Sequence, residues 1–251
     1  MKLTLVGAGP GDPDLITVKG IKALRQADVV MYDALVHPDL LDYCRPDALK
    51  VYVGKRRGAY SCMQEDINPL IVHYARQYGH VVRLKGGDSF VFGRGYEEIE
   101  YARQHGIDTE AIPGLSSSYA VPASAGVPLT TRGLSESFWV VTGTTKDGQF
   151  SADLRLAAQS TATVVVLMGM HKLAQIMAVF ADCGQSDTPV AIIQNGTLPE
   201  QQVVIGRVSD IVQKTEESGV GNPAIIVVGE VAKLAISDLL ALSQTSDQDN
   251  P

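Results

Sequence analysis

Cysteine is scarce and scattered in this 251-residue chain. Cys44, Cys62 and Cys183 are odd in number, far apart, and join no CxxC or Cys/His cluster. They give no basis for a disulfide framework or a cysteine-built zinc site, and a reducing, cytoplasmic setting is expected. Long apolar runs are also missing: no stretch approaches the roughly 18 residues that a membrane span needs. The opening Met1–Gly7 carries a short apolar run that gives way at once to Asp12 and Asp14, so it reads as a first strand and not as a leader. Positive charge is in deficit. A net charge of −7 speaks against broad nucleic-acid binding, although it permits a local basic pocket for an acidic small molecule. Aromatic residues are only 6% of the chain, with Trp139 the one tryptophan, so the core must come from Val, Ile, Leu and Ala. That suits parallel or mixed sheets covered by helices. His37, His73, His80, His105 and His171 share no metal-ligand spacing, and no metal is expected.

What is present is an alternation of short apolar runs, glycine-rich loops and helical periodicities. Leu3–Val6, Asp28–Tyr32, Lys50–Val53, His80–Leu84 and Thr109–Ile112 read as strands. Thr17–Gln26, Gln64–Tyr78 and Tyr96–Gln104 read as helices, and Ser116–Val121 as a short one stopped by Pro122. This is the pattern of a doubly wound α/β layer, whose ligands bind beyond the carboxyl ends of the strands. Around 126–137 the periodicity lapses into turn residues, which places a boundary there: an α/β domain over 1–133, a second over 134–242, and a polar, disordered tail over 243–251. In the second half, Phe138–Thr142, Thr163–Met168, Pro189–Gln194, Gln202–Ile205 and Ala224–Val228 read as strands, and Lys172–Asp182 and Ser209–Ser218 as helices. Its sheet is expected to be mixed or partly antiparallel.

Several loops carry chemistry. Gly7-Ala8-Gly9-Pro10-Gly11-Asp12-Pro13 is not a dinucleotide fingerprint, because Asp12 stands where G-x-G-x-x-G needs glycine and would repel a pyrophosphate. It reads as a tight turn, suited also to a phosphate-free ligand approached closely by backbone. Lys85–Gly95 is the richest segment. Gly86 and Gly87 allow close approach, Asp88 can accept hydrogen bonds, Phe90, Val91 and Phe92 offer an apolar wall, and Arg94 stands between two glycines. Ser116, Ser117 and Ser118 open a helix, where serine is first of all a cap and can also meet a ligand at the positive helix end. No G-x-S-x-G elbow is present, which argues against a hydrolase. Lys55, Arg56 and Arg57 are either solvated surface or a carboxylate clamp, and Asp33 either a turn residue or a general base.

Together these segments resemble the tetrapyrrole methylase family. Val6–Pro13 with Leu15-Ile16-Thr17 matches its opening motif, and Pro113-Gly114, Pro128-Leu129-Thr130, Val141-Thr142-Gly143, Met168-Gly169, Asn195-Gly196-Thr197 and Pro223-Ala224 continue the likeness over roughly residues 2–235. The segments at 32–36, 53–56 and 84–95 narrow it toward members that methylate uroporphyrinogen III on carbon, giving precorrin-2 for sirohaem or cobalamin. Ser89, Tyr96, Thr131 and Thr144 depart from the usual Pro, Gly, His and His. The resemblance implies two α/β domains with the ligand cleft between them, a homodimer, and S-adenosylmethionine as cofactor, released as S-adenosylhomocysteine. It also implies cofactor contacts from Pro10, Gly86, Gly87, Asp88, Val91, Ser116, Ser117, Met168, Gly196 and Ala224. Asp33 would accept a proton and Lys55 donate one. Arg94, Lys55 and Arg132 would meet the substrate's carboxylates, with Glu97 orienting Arg94. A methyltransferase for a later corrin precursor, a protein or an RNA, and a non-catalytic carrier, are the rival readings.

Overall fold

The computed structural model describes residues 1–54, 64–145 and 147–235. The expected basic cluster at Lys55-Arg56-Arg57 and the expected tail at 243–251 lie outside them.

The chain forms two compact units, divided after Ser116. The first is a five-stranded, wholly parallel sheet of β1 (Lys2–Gly7), β2 (Val29–Tyr32), β3 (Leu49–Tyr52), β4 (His80–Lys85) and β5 (Asp108–Ile112) in the order β3-β2-β4-β1-β5. Alternate residues of each strand enter different cores, as a sheet buried on both faces requires. Val6, Val30, Val82 and Leu84 pack with Ala23 and Leu24 of α1 (Val18–Leu24). Leu3, Leu5, Val29, Met31 and Val81 pack with Ile67, Ile71 and Ala75 of α2 (Gln64–Tyr78) and with Ile99 and Ala102 of α3 (Gly95–Gln104). From β1 the chain crosses through α1 toward β2 on one side. From the adjacent β4 it crosses through α3 to β5 on the other. The carboxyl ends of β1 and β4 are therefore a topological switch point, where open α/β sheets form a crevice.

The second unit is a mixed sheet, as its β-rich sequence led us to expect. It holds β6 (Phe138–Thr142), β7 (Thr163–Leu167), β8 (Pro189–Gln194), β9 (Gln202–Arg207) and β10 (Ala224–Val228) in the order β6-β7-β10-β8-β9. Only β6 and β7 pair in parallel; β10 runs antiparallel between β7 and β8. One face carries Leu154, Ile176, Phe180 and Ile211 of α5 (Asp153–Ala158), α6 (Leu173–Asp182) and α7 (Ile211–Ser218).

Two expectations need correction. The division falls at Ser116 and not at 133/134, because α4 (Ser117–Ser124) and the turn after it bury Val121, Ala125 and Val127 against Val165, Ala191, Ile193 and Ile225 of the second sheet. Pro122 does not stop α4 but sits inside it, and the amides of Ala125 and Val127 still close onto the carbonyls of Val121 and Pro122. Proline lacks the amide that would donate four residues back, but so short a helix forgoes only that one i→i−4 bond. Helix α5 was not anticipated at all.

Candidate functional site

At the switch point the backbones of three strand ends touch. Gly9 and Gly87 exchange hydrogen bonds, with Gly87 N donating to Gly9 O at 2.6 Å and Gly9 N to Gly87 O at 3.2 Å. Gly7 and Gly114 are pressed so close that a Cβ on either would stand 2.5 Å from backbone atoms of its neighbour loops. Asp88 pins this arrangement. Its Oδ2 accepts from Gly114 N at 3.0 Å and its Oδ1 from Phe90 N at 2.8 Å. The expected ligand-facing carboxylate is thus already engaged with two backbone amides. A Cβ at Gly86 would strike Cβ of Leu35, so this glycine lets the β2 and β4 loops meet. Pro10, Gly86, Gly87 and Asp88 come together at these ends, Val91 lies further along the β4 loop, and Ser116 follows β5.

The segment between β4 and α3 is conformationally strained. Phe92 (φ 55°) and Arg94 (φ 58°) both occupy the left-handed region, where a side chain costs of order 1–3 kcal/mol. Gly93 and Gly95 flank Arg94, and a Cβ on either would lie 2.6 Å from Ser89 O. Phe90, Val91 and Phe92 are exposed, an unusual clustering for apolar side chains. Arg94 caps α3 and is half exposed. It donates from Nε to Glu97 Oε1 at 2.9 Å and from Nη2 to Glu97 Oε2 at 2.6 Å, a bidentate pair that fixes the guanidinium plane.

Sequence reasoning missed what lies beneath. Arg83, 3% exposed in the middle of β4, donates from Nη1 to the carbonyls of Leu84 (2.7 Å) and Met31 (3.4 Å) and from Nη2 to Asp33 Oδ2 (3.1 Å). Its Nε lies 3.5 Å from Oε1 of Glu98, which is fully buried in the first turn of α3. Lys85 Nζ donates to the same Oε1 at 2.9 Å. Burial pushes the Lys85 ammonium below the usual lysine range, and the Arg83 charge acts in the same direction, with Glu98 opposing. The signal was available: two cations at i and i+2 of an otherwise apolar strand must share one face, and buried charges need partners.

Asp33 follows β2 at the same edge of the sheet and remains partly exposed. Its Oδ1 accepts from Leu35 N at 3.1 Å while Oδ2 takes Arg83. Lys55 lies outside the described residues.

In the second unit, Met168 and Asn195-Gly196-Thr197 follow β7 and β8 at one edge of the sheet, and the register that pairs Ile226 with Val166 brings Ala224 to the level of Met168. Met168 (φ 56°), Asn195 (φ 49°) and Thr197 (φ 71°) are left-handed too. Gly143 is pressed onto Gly169, and Gly196 onto Val121 of α4. Ser117 begins α4, and Arg132 lies exposed in the turn that Thr131 and Ser135 close.

Residues 2–212 match the profile of the tetrapyrrole (corrin/porphyrin) methylases. The chain is 46% identical to uroporphyrinogen-III C-methyltransferase of Methanocaldococcus jannaschii, over 93% of this chain and 97% of that protein. It is 45% identical to siroheme synthase of Psychrobacter arcticus over 92% of this chain, but spans only 42% of that longer protein. Among solved structures it superposes on the uroporphyrin-III C-methyltransferase of Thermus thermophilus complexed with S-adenosylhomocysteine, with TM-score 0.80 and 37% identity, covering 93% of this chain and all of that one.

Proposed function

The chain belongs to the tetrapyrrole methylases, and from that premise we propose that it is an S-adenosylmethionine-dependent enzyme that methylates uroporphyrinogen III on carbon to give precorrin-2. The observation that carries this reading is the topological switch point, where backbone from β1, β4 and β5 meets beside a row of exposed apolar side chains. Such a site suits a cofactor that has no phosphate and is held largely by backbone. Asp12 speaks against a pyrophosphate there, and Asp88, occupied with amides, shapes the loop around the ligand.

Pro10, Gly86, Gly87, Asp88, Val91, Ser116, Ser117, Met168, Gly196 and Ala224 would be the cofactor contacts. When bound, the sulfonium supplies an electrophilic methyl group. The pyrrole carbon is itself electron-rich, so the chain's own work is alignment and exclusion of water. Methyl addition leaves a ring that must lose a proton, and Asp33, held by Arg83 and by Leu35 N, would accept it. Lys55 would return a proton. Arg94, fixed by Glu97, would meet substrate carboxylates in bidentate fashion, with Arg132 and Lys55 as further cations. The enzyme is read as a cytoplasmic homodimer that engages neither nucleic acid nor membrane. Its acidic balance supports the former, and among the described residues no helix is long and apolar enough to cross a bilayer. The product would feed sirohaem or cobalamin synthesis.

The test is anaerobic incubation with radiolabelled S-adenosylmethionine and uroporphyrinogen III. Label in a dimethylated tetrapyrrole is expected. Cofactor binding without transfer would move the substrate to a later corrin precursor or another acceptor, and absence of binding would overturn the reading.

A further inference from the structure

A guanidinium buried in the centre of a parallel sheet is not there for stability. Removing an ion from water costs several kcal/mol in real proteins, and well-packed apolar replacements of buried ion pairs are often neutral or stabilising. Something other than fold energy must account for Arg83, which is 3% exposed. Its geometry supplies the reason. Glu98 faces Nε from α3, the carbonyls of Leu84 and Met31 take Nη1, and the one remaining direction, Nη2, is aimed at Asp33. The rigid planar fork is thus surrounded by acceptors, with hydrogen bonds from both Nη atoms and a longer ion-pair contact from Nε, which makes no hydrogen bond of its own. Glu98 is in turn held by Lys85, so the support of the fork does not depend on Arg83 alone. Of these four charged groups, Asp33 is the most open: its side chain is 24% exposed, against 3% for Arg83, 7% for Lys85 and 0% for Glu98. The network is a buried, charge-balanced strut of two cations and two anions whose open end is a carboxylate.

We infer that Arg83, set by Glu98 and Lys85, is a positioning residue for Asp33, and that it acts on turnover only through the orientation of that carboxylate. The inference rests on the reading of Asp33 as the proton acceptor. It also gives Glu98 a double meaning. The helix that carries it has Arg94 at its N-cap, so the group proposed to take the proton and the group proposed to grip the substrate are referred to one rigid element.

The test is a double-mutant cycle in the full-length protein, assayed by methyl transfer from radiolabelled S-adenosylmethionine to uroporphyrinogen III. Arg83→Met leaves the Lys85–Glu98 pair intact and Asp33 open to water, but two carboxylates then share one cation, so the urea midpoint should fall while the protein stays folded. A misplaced proton acceptor should lower kcat about ten- to a hundredfold, with KM for the cofactor and direct binding of S-adenosylhomocysteine within about twofold of wild type. Arg83→Lys should recover part of the loss, since it keeps the charge but not the fork. In an Asp33→Asn background, Arg83→Met should cost nothing further. If Arg83→Met lowers kcat by the same factor with and without Asp33, or leaves kcat untouched while Asp33→Asn abolishes it, the positioning role is overturned. If Asp33→Asn itself turns over normally, the proton-acceptor reading fails, and this inference with it. Should Arg83→Met not fold, Arg83→Lys takes its place in the cycle with the same outcomes.

Discussion

Substitution of Gly7 by alanine tests the switch-point geometry most directly. The new Cβ would stand 2.5 Å from Gly114 N, 2.6 Å from Gly114 Cα and 2.7 Å from Gly87 O. None of these is a side chain that can swing aside. Ordinary contact begins near 3.4 Å, so the β5 loop must retreat by about 0.9 Å, the difference between the two distances. That retreat strains the bond from Gly114 N to Asp88 Oδ2. Overpacking costs about 1–3 kcal/mol, and a hydrogen bond to a charged acceptor is worth about 1.5–3 kcal/mol. Gly7→Ala should therefore destabilise the first unit by about 3–5 kcal/mol and weaken binding of S-adenosylhomocysteine. Gly221 is the control. Nothing lies within 4 Å of its Cβ position, and its φ lies outside the left-handed region, so alanine there should be neutral or stabilise by about 0.4–1 kcal/mol. Urea unfolding followed by far-UV circular dichroism, with amide exchange resolved on β1 and β4, measures the loss. Trp139 stands on β6 and reports the second unit separately. A Gly7→Ala protein within about 1 kcal/mol of wild type, with the β1 and β4 amides as protected as before, would refute the claim that these strand ends meet backbone to backbone.

Ser89→Ala should stabilise the protein by about 1 kcal/mol, because its buried hydroxyl has no hydrogen-bond partner among the described residues. Calorimetry should see a rise of about 2–4 °C, and an unchanged or lowered midpoint would show that the hydroxyl is satisfied after all. Arg94→Ala should abolish turnover while S-adenosylhomocysteine binding, read by titration calorimetry, stays within a few-fold; loss of that binding would remove Arg94 from the substrate's side of the site. Hydrogen bonds from Lys19 and Lys2 hold the Glu110 carboxyl at about 2, below its ordinary 4.5. A carboxyl depressed by folding stabilises the protein above its unfolded value and loses that contribution as pH falls from about 4.5 toward about 2. For a surface cluster the amount is about 0.2–1 kcal/mol. Glu110→Gln should flatten the acid limb of stability by that amount, and an identical limb in both proteins would show the pairs to be inert.

The two-unit α/β fold, most strands and the family were legible in the sequence because the signals are local. An apolar run ending in Gly-Ala-Gly-Pro-Gly needs no tertiary knowledge to be read as a strand meeting a turn. The domain boundary was misread for the opposite reason. Residues 126–137 lack periodicity, yet α4 belongs with the second sheet because Val121 and Val127 bury there, a matter of long-range packing. The role of Asp88 was half legible: an acceptor was expected, but its being taken by the Phe90 and Gly114 amides depends on where β5 ends. The Arg83–Glu98–Lys85 cluster was half legible: Arg83 and Lys85 share one face of β4, but their partner Glu98 comes from α3, which only tertiary packing brings to them.

The placement of strain follows the same rule in two unlike sheets. Among the described residues, five non-glycine positions have left-handed backbone: Phe92, Arg94, Met168, Asn195 and Thr197. All five stand in loops directly after β4, β7 or β8. Thr197 is β-branched, for which this conformation is the more costly. At of order 1–3 kcal/mol each, such residues persist only where their surroundings leave no alternative, and the pressed glycines supply that constraint. Gly93 and Gly95 lie on Ser89 O around Arg94, Gly143 on Gly169 beside Met168, and Gly196 on Val121 between Asn195 and Thr197. A fold needs nothing of the kind to close a strand, as the ordinary turn after β9 demonstrates. One sheet is wholly parallel and the other mixed, so shared topology does not explain the coincidence. A requirement to hold backbone and side chains rigidly at the ends of particular strands, as a ligand site demands, explains it in both.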